Sequence, residues 1–563
     1  MYNPFFLPEH LMHAWSLSLM QSPRLLQEAQ AKLFPNLYNV YQNTVKSSSY
    51  QDWPLFIDPS KMDRRFDHPA WKNVPYYRSC HQAYLTMCEW LLSMAKASPM
   101  PQQTQKELVF YLKQTLDAYA PSNFPATNPE IFMRILEEGD QALTEGIARL
   151  FRDWQDLGPQ EFFLSLTRPK GFNLGENLAL TPGQVVLKNK LMELIQYEPV
   201  EKRVYQTPLL IVPPWINKYY VFDLSAHKSF VDWARKQGHT VFIISWVNPD
   251  ASMKNTSFLD YLKEGLLPAL DAACDITGAR EVHGIGYCLG GNLLSIGAAH
   301  LKKQKKNLLA SLSLLATIGD FSRMEDLGLF LGPDHVNTIK KSIEEEGYMD
   351  GYALALIFSF LRANNLIWSA LVNKYFLGKD PFPLDFLHWN ADPSSLPARM
   401  YLDFLEHVVQ SDRFLTPEGI TLEGQTFSFH DMDIPCFVMA AQRDHIAPWK
   451  SCFPFFQAAK GKKTFILATA GHIAGVINSP VKNKYSYFHL ERYKDGITEE
   501  DWAQKAIEVK GSWWPFWHTW IVDIQGKQTD APPLGNQKYP ATQNAPGTYV
   551  LSGKNQQKTA KAT

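Results

Sequence analysis

The sequence is poor in features that would cross-link it, hold a metal or draw it to a polyanion. Six cysteines stand among 563 residues. None forms a CxxC pair or a Cys/His ligand spacing, so neither a disulfide scaffold nor a metal site is expected. Lys and Arg number 55 against 56 Asp and Glu, a net charge of −1, which leaves no electrostatic case for a nucleic-acid partner. The opening MYNPFFLPEHLMHAW has neither a basic n-region nor a clean apolar core, so no signal peptide is expected. Long uninterrupted apolar runs are missing too. The best, YALALIFSFLRANNLIWSALV at 352–372, is broken at mid-depth by Arg362, Asn364 and Asn365, where a charge is costly in a bilayer. It reads as two apolar helices joined by a polar elbow, not as a transmembrane segment. There is no internal repeat. A cytoplasmic chain with free thiols is the expectation.

What is present is a large apolar inventory: 45% hydrophobic and 13% aromatic residues, too much chain for one compact core. Residues 1–170 read as a helical N-terminal domain. EHLMHAWSLSLM, SPRLLQEAQAKLF, CHQAYLTMCEWLLSMAK and TQKELVFYLKQTLDAY repeat apolar residues every three or four positions. Prolines 54, 59, 69, 75, 99 and 101 fall between the helical stretches. After about 185 the pattern changes to short apolar runs: QVVLKN, PLLIVPP, TVFIISW, EVHGIGY, LSLLAT, IPCFVMA and TFILAT. Amphipathic stretches such as HKSFVDWARKQG lie between the middle ones. Such alternation predicts a mostly parallel sheet covered on both faces, an α/β class over 171–530. From about 320 to 430 the strands stop, and an aromatic-rich helical insertion is expected to cap the sheet's C-terminal edge. The tail 531–563 is rich in Pro, Gly and Asn and is expected to be irregular, with a disordered basic end. KKQKK at 302–306 is expected to be a solvated helix end.

GYCLG at 286–290 follows an apolar strand and opens a helical pattern. That is the context of the G-x-nucleophile-x-G elbow of the α/β-hydrolase fold, with Cys288 in place of serine. A thiol nucleophile needs a base, and the base needs an orienting acid. In this fold both follow the nucleophile, each just beyond a later strand. IPCFVMAAQRD ends on Asp444 and TFILATAGH on His472, so the expected order is Cys288, Asp444, His472. Asp320, after LSLLATIG, is a competing acid. His445 adjoins Asp444 and is expected to support the site from behind. One oxyanion donor should be the N–H of Leu289, directly after the nucleophile. The second should come from the loop after PLLIVPP, where Ile216 is the choice; Trp215, Tyr219 and Tyr220 in that loop are equally well core aromatics.

With these residues in view the chain resembles the polyhydroxyalkanoate synthases, specifically class I. The resemblance is carried by GYCLGGNLL, PPWINKYYVFDL, SWVNPD, DHIAPW, GHIAGVINSP, GSWWPFW and APGTYVL, and runs from about DRRFDHPAW to residue 551. Leu289 after the nucleophile is similar to the short-chain class, whereas the medium-chain class usually has Ser there. Val247 in SWVNPD departs from the Arg the family often carries. The resemblance implies an acyltransferase that polymerises (R)-3-hydroxyacyl-CoA, most simply 3-hydroxybutyryl-CoA, into polyester. Cys288 would carry the acyl group as a thioester, His472 would take the thiol proton, and Asp444 would activate the 3-hydroxyl, directly or through His472. No cofactor is implied, coenzyme A being part of the substrate. It further implies a homodimer working at the surface of a polymer granule. Two rivals share parts of this pattern: a Cys-dependent hydrolase (a thioesterase or polyester depolymerase) and a non-catalytic granule coat.

Overall fold

The computed structural model describes residues 7–46, 63–430, 432–524 and 526–552. The first six residues, Pro54, Pro59 and the basic end from 553 onward lie outside them. The chain divides into two compact units, Met1–Arg168 with Leu356–Phe382, and Pro169–Ala355 with Pro383–Thr563.

The first unit is built on α1 (Glu9–Met20), α2 (Pro23–Lys46), α3 (Pro75–Ala97), α4 (Gln102–Ala118), α5 (Pro129–Glu138) and α6 (Gln141–Ser165), with no strand among its described residues. Pro75 and Pro129 open their helices, where a missing N–H leaves no partner wanting. Asn128 caps α5 by accepting from the N–H groups of Glu130 at 2.9 Å and Ile131 at 3.4 Å. Gly158, at φ 71°, kinks α6 just before Pro159. Arg65 of DRRFDHPAW is buried between Asp63 at 2.8 Å and Asp117 at 2.9 Å.

The insertion does not stay together as the single cap expected over 320–430. Its middle, Leu356–Phe382, belongs with the N-terminal unit, because Phe360, Ala363, Ile367 and Tyr375 are buried with Phe162 and Leu166 in one apolar cluster. Helices Gly351–Phe360 and Asn364–Phe376 are bent by 111° across the Arg362 break. Among the described residues no single helix is long and apolar enough to cross a membrane. The insertion also contains short strands that its helical appearance hid: Tyr348–Met349 pairs with Leu396–Pro397, and Ile420–Leu422 with Gln425–Phe427.

The second unit is an α/β-hydrolase fold centred on an eleven-stranded sheet. Its strands are β1 (Gly183–Lys188), β2 (Met192–Tyr197), β3 (Leu209–Val212), β4 (Val241–Trp246), β5 (Val282–Tyr287), β6 (Leu309–Leu315), β7 (Cys436–Ala441), β8 (Lys463–Ala468), β9 (Ser486–His489), β10 (Ile507–Lys510) and β11 (Gln543–Asn544). Their order across the sheet is β10-β9-β8-β7-β6-β5-β3-β4-β2-β1-β11. Strands β3 to β8 are parallel, and the antiparallel strands sit at the two ends. The central strands are buried along their whole length, as their continuous apolar runs require. After β4 the chain crosses back over β3 to form β5, so the winding reverses there. The crevice at the C-terminal ends of β3 and β5 is where an open α/β sheet binds ligands.

Glu193 and Gln196 stand inside β2 and are fully buried. Each is satisfied by the tail, which through residue 552 is held in place although little of it is regular. Gln196 donates to the Pro533 carbonyl at 2.9 Å and accepts from the Gly535 N–H at 2.8 Å. Glu193 accepts from the N–H groups of Thr548 at 2.9 Å and Tyr549 at 3.0 Å, and from Lys188 Nζ at 2.7 Å. These bonds hold the Glu193 carboxyl below its ordinary pKa although burial by itself would raise it. Removing the buried carboxylate leaves the Thr548 and Tyr549 amides and Lys188 without their acceptor. Glu193→Ala is therefore expected to lose about 2 to 4 kcal/mol, read from denaturant unfolding, with faster hydrogen exchange at Thr548 and Tyr549. Unchanged stability and exchange would contradict this anchoring role.

Candidate active site

Strand β5 ends at Tyr287, and α7 (Leu289–Lys303) starts two residues later. The single residue between them, Cys288, has φ 51° and ψ −124°, a conformation that L residues adopt only under constraint. The constraint is close backbone packing. A Cβ on Gly290 would lie 2.1 Å from the Val212 carbonyl oxygen, and one on Gly286 would lie 2.4 Å from the Gly291 Cα. The first turn of α7 can thus press directly against the exit of β3. Cys288 is held at the turn, 5% exposed.

The acid and base come from the next two strand ends. The turn after β7 is tied to the exit of β8, with the Gln442 N–H donating to the Ala468 carbonyl at 2.7 Å and the Arg443 N–H to the Ala470 carbonyl at 2.9 Å. Asp444 Oδ1 accepts from the N–H groups of Ile446 at 2.8 Å and Ala447 at 2.9 Å. Its Oδ2 meets His472 Nδ1 at 2.6 Å. The Asp444 side chain has no solvent exposure and that of His472 little. Burial pulls the imidazole's pKa down, but the charges of Asp444 and Cys288 and its hydrogen bond to Asp444 outweigh burial and raise it to about 10. The structure therefore hydrogen-bonds His472 to Asp444 and brings Cys288 near enough for its charge to act on the imidazole. With Nδ1 committed to Asp444, Nε2 is the nitrogen left for the thiol.

His472 stands at the first turn of a short helix, His472–Val476. Two tryptophans fix the far end of that helix: Trp513 Nε1 donates to the Gly475 carbonyl at 2.8 Å and Trp514 Nε1 to the Val476 carbonyl at 2.9 Å. Sequence reasoning did not assign these residues a place near the site. Their signal was the GSWWPFW motif, which names aromatic residues but not which carbonyls they reach.

Leu289 heads α7, so its N–H belongs to a first turn without intrahelical partners and at the positive end of the helix dipole. Ile216 is buried in the loop that leaves β3 three residues beyond Pro213, and its carbonyl accepts from the Ser394 N–H at 2.9 Å. Trp215, Tyr219 and Tyr220 are buried core aromatics; the Trp215 ring sits edge-on to Phe258 and Phe404. Asp320 is engaged elsewhere. Its Oδ1 accepts from the Ser322 N–H at 3.0 Å, its Oδ2 meets Arg323 Nε at 2.8 Å, and the partner of His472 is Asp444. His445 is half-buried beside Asp444, whose own hydrogen bonds go to Ile446, Ala447 and His472. Among the described residues no group of three or more His, Cys, Asp or Glu could hold a metal ion. Chemically, the arrangement can deprotonate a thiol, offer N–H donors to an oxyanion and return the proton to a leaving group.

Residues 62–234 match the family model described as "Poly-beta-hydroxybutyrate polymerase (PhaC) N-terminus". Over 94% of its length the chain is 36% identical to "Poly(3-hydroxyalkanoate) polymerase subunit PhaC" of Rhizobium meliloti, covering 86% of that protein. It is 36% identical to "Poly(3-hydroxyalkanoate) polymerase" of Methylorubrum extorquens, with 94% and 87% covered. For the Cupriavidus necator subunit the identity is 34%, with 94% and 89% covered. An esterase from Exiguobacterium antarcticum overlaps 52% of this chain and 92% of its own at 9% identity and a TM-score of 0.30, a likeness too slight to bear on the reaction. Matches of this identity along nearly the whole length make the chain a member of the poly(3-hydroxyalkanoate) polymerase family.

Proposed function

We propose that the chain polymerises (R)-3-hydroxyacyl-CoA, with 3-hydroxybutyryl-CoA as the simplest substrate, through a thioester on Cys288. Family membership makes it an acyltransferase that builds polyester. The observation that carries the finer reading is a cysteine on a strained elbow, close to a histidine whose Nδ1 is held by a buried carboxylate. His472 takes up the Cys288 proton at Nε2, forming the imidazolium that Asp444 stabilises, and the sulfur attacks the substrate's thioester carbonyl. Leu289 and Ile216 N–H groups stabilise the oxyanion, and the CoA sulfur departs with the proton from His472. Exchange of one thioester for another is nearly balanced in free energy, which suits a cysteine better than a serine. A 3-hydroxyl then gives its proton to His472 and attacks the acyl-cysteine, forming the ester and freeing the thiol. Asp444 has both oxygens committed, so its influence on the hydroxyl runs through His472.

The product assay separates synthase from hydrolase: 3-hydroxybutyryl-CoA should yield CoA and polymer, not CoA and free acid. Cys288→Ala should fold and release no CoA. Asp444→Asn presents an amide to His472 Nδ1 and favours the wrong tautomer, by analogy costing about 10⁴-fold where a hydroxyl must be activated. A thiol ionises far more readily than an alcohol, so this variant should acylate Cys288 and stall before elongation. Wild-type turnover in the alanine variant would sink the assignment.

Protonated His472 also adds to stability. Its folded pKa of about 10 exceeds the ordinary 6.5, so the contribution is whole below pH 6.5 and lost as pH rises through 10. The gap in melting temperature between wild type and His472→Gln should therefore narrow from pH 6 to pH 10. A gap that widens would contradict the pairing.

We further propose that the enzyme works in the cytoplasm as a homodimer at the polymer surface. The apolar residues left open, such as Leu136 at 65% and Phe151 at 60% exposure, suit a protein at a hydrophobic boundary. Activity per mole should rise with protein concentration as sedimentation shifts toward the dimer. Full activity from a strict monomer would refute the dimer.

A further inference from the structure

The loop that leaves β3 is held by a second segment far away in sequence. The Ile216 carbonyl accepts from the Ser394 N–H at 2.9 Å, Asn217 bridges to Pro393 in antiparallel fashion, and Lys218 Nζ pairs with Asp392 at 2.8 Å. Residues 216, 217 and 218 thus face 394, 393 and 392 in one continuous antiparallel register. Further bonds lock the same register. Trp389 Nε1 donates to the Lys218 carbonyl at 2.6 Å, and the Tyr220 hydroxyl donates to Asp392 Oδ2 at 3.0 Å. Seven and ten residues beyond Lys218, Ser225 and Lys228 meet Asp385. The Lys218 side chain is only 7% exposed and that of Asp392 22%. A cation so buried keeps its place only while its carboxylate partner does.

We propose that Asp392, with Lys218, is a positioning residue for the acylation step. It fixes the loop that carries the Ile216 N–H and so sets that donor's place toward the oxyanion. This rests on the proposed acylation of Cys288. No residue of this second segment, a strap over residues 383–394, needs to touch substrate. A displacement of about 1 Å at such a donor can cost on the order of 100-fold in rate. The strap begins directly after Phe382, where the chain leaves the N-terminal unit, so the same segment that holds the donor continues the inserted stretch.

Two reactions at Cys288 test the idea, because only one develops an oxyanion. Acylation by 3-hydroxybutyryl-CoA passes through a tetrahedral intermediate; alkylation by iodoacetamide needs the thiolate and His472 but no oxyanion donor. Asp392→Asn keeps the shape and an acceptor for Tyr220 but removes the charge. Lys218→Met/Asp392→Asn removes both charges and leaves no unpaired cation if the single variant folds poorly. In whichever variant keeps the wild-type circular dichroism spectrum, single-turnover CoA release should fall by about 10- to 100-fold while the alkylation rate is unchanged. Asp392→Glu should recover part of the loss. Equal loss in both reactions would overturn the proposal, since the strap would then be supporting the whole site. An unaltered acylation rate would overturn it while leaving Cys288 as the acylated thiol. A wild-type enzyme that releases CoA without labelling Cys288 would overturn both.

Discussion

The approach of two backbones at Gly290 is the constraint on which the site depends. The first turn of α7 lies against Val212 and Pro213 so closely that no Cβ fits between them. That contact fixes three things together. It forces Cys288 into a left-handed conformation at the tip of β5, presents the free N–H groups of the helix start beside the sulfur, and brings the β3 exit loop alongside them. Because β3 and β5 flank the point where the sheet's winding reverses, the crevice exists before any side chain is considered. The thiol is then placed by the backbone, not by packing of its own side chain.

His472 and Asp444 are placed with comparable stringency from the other side. The turns after β7 and β8 are hydrogen-bonded to each other, and both oxygens of Asp444 are in use. Tryptophans 513 and 514 hold the carbonyl end of the His472 helix, and their rings pack with Phe230 on the buried face of the sheet. A base held so firmly in place suits the two proton transfers proposed above, first from a thiol and then from an alcohol.

Much of this was legible in the sequence because it depends on local order. Cys288, Asp444 and His472 each follow an apolar run, and the central strands announce themselves as unbroken Val, Ile and Leu. Strand β2 did not, because Glu193 and Gln196 interrupt its apolar pattern, and the partners that make them tolerable lie more than 300 residues away in the tail. The same distance hid the tail's attachment. The insertion looks like one cap because its helical periodicity is uniform; nothing in that periodicity says that Phe360, Ile367 and Tyr375 share a core with Phe162. The pairing of residues 216–218 with 392–394 joins two loops, where no hydrophobic period exists to signal a contact.

If the elbow makes the Cys288 sulfur the acyl acceptor, the acyl group itself must be found there. The Asp444→Asn enzyme, mixed with 3-hydroxybutyryl-CoA, quenched in acid, digested and mapped by mass spectrometry, should carry a hydroxylamine-labile 3-hydroxybutyryl thioester on the peptide containing Cys288. An acyl group on any other side chain, or CoA release with no covalent acyl-enzyme at any time point, would contradict the account.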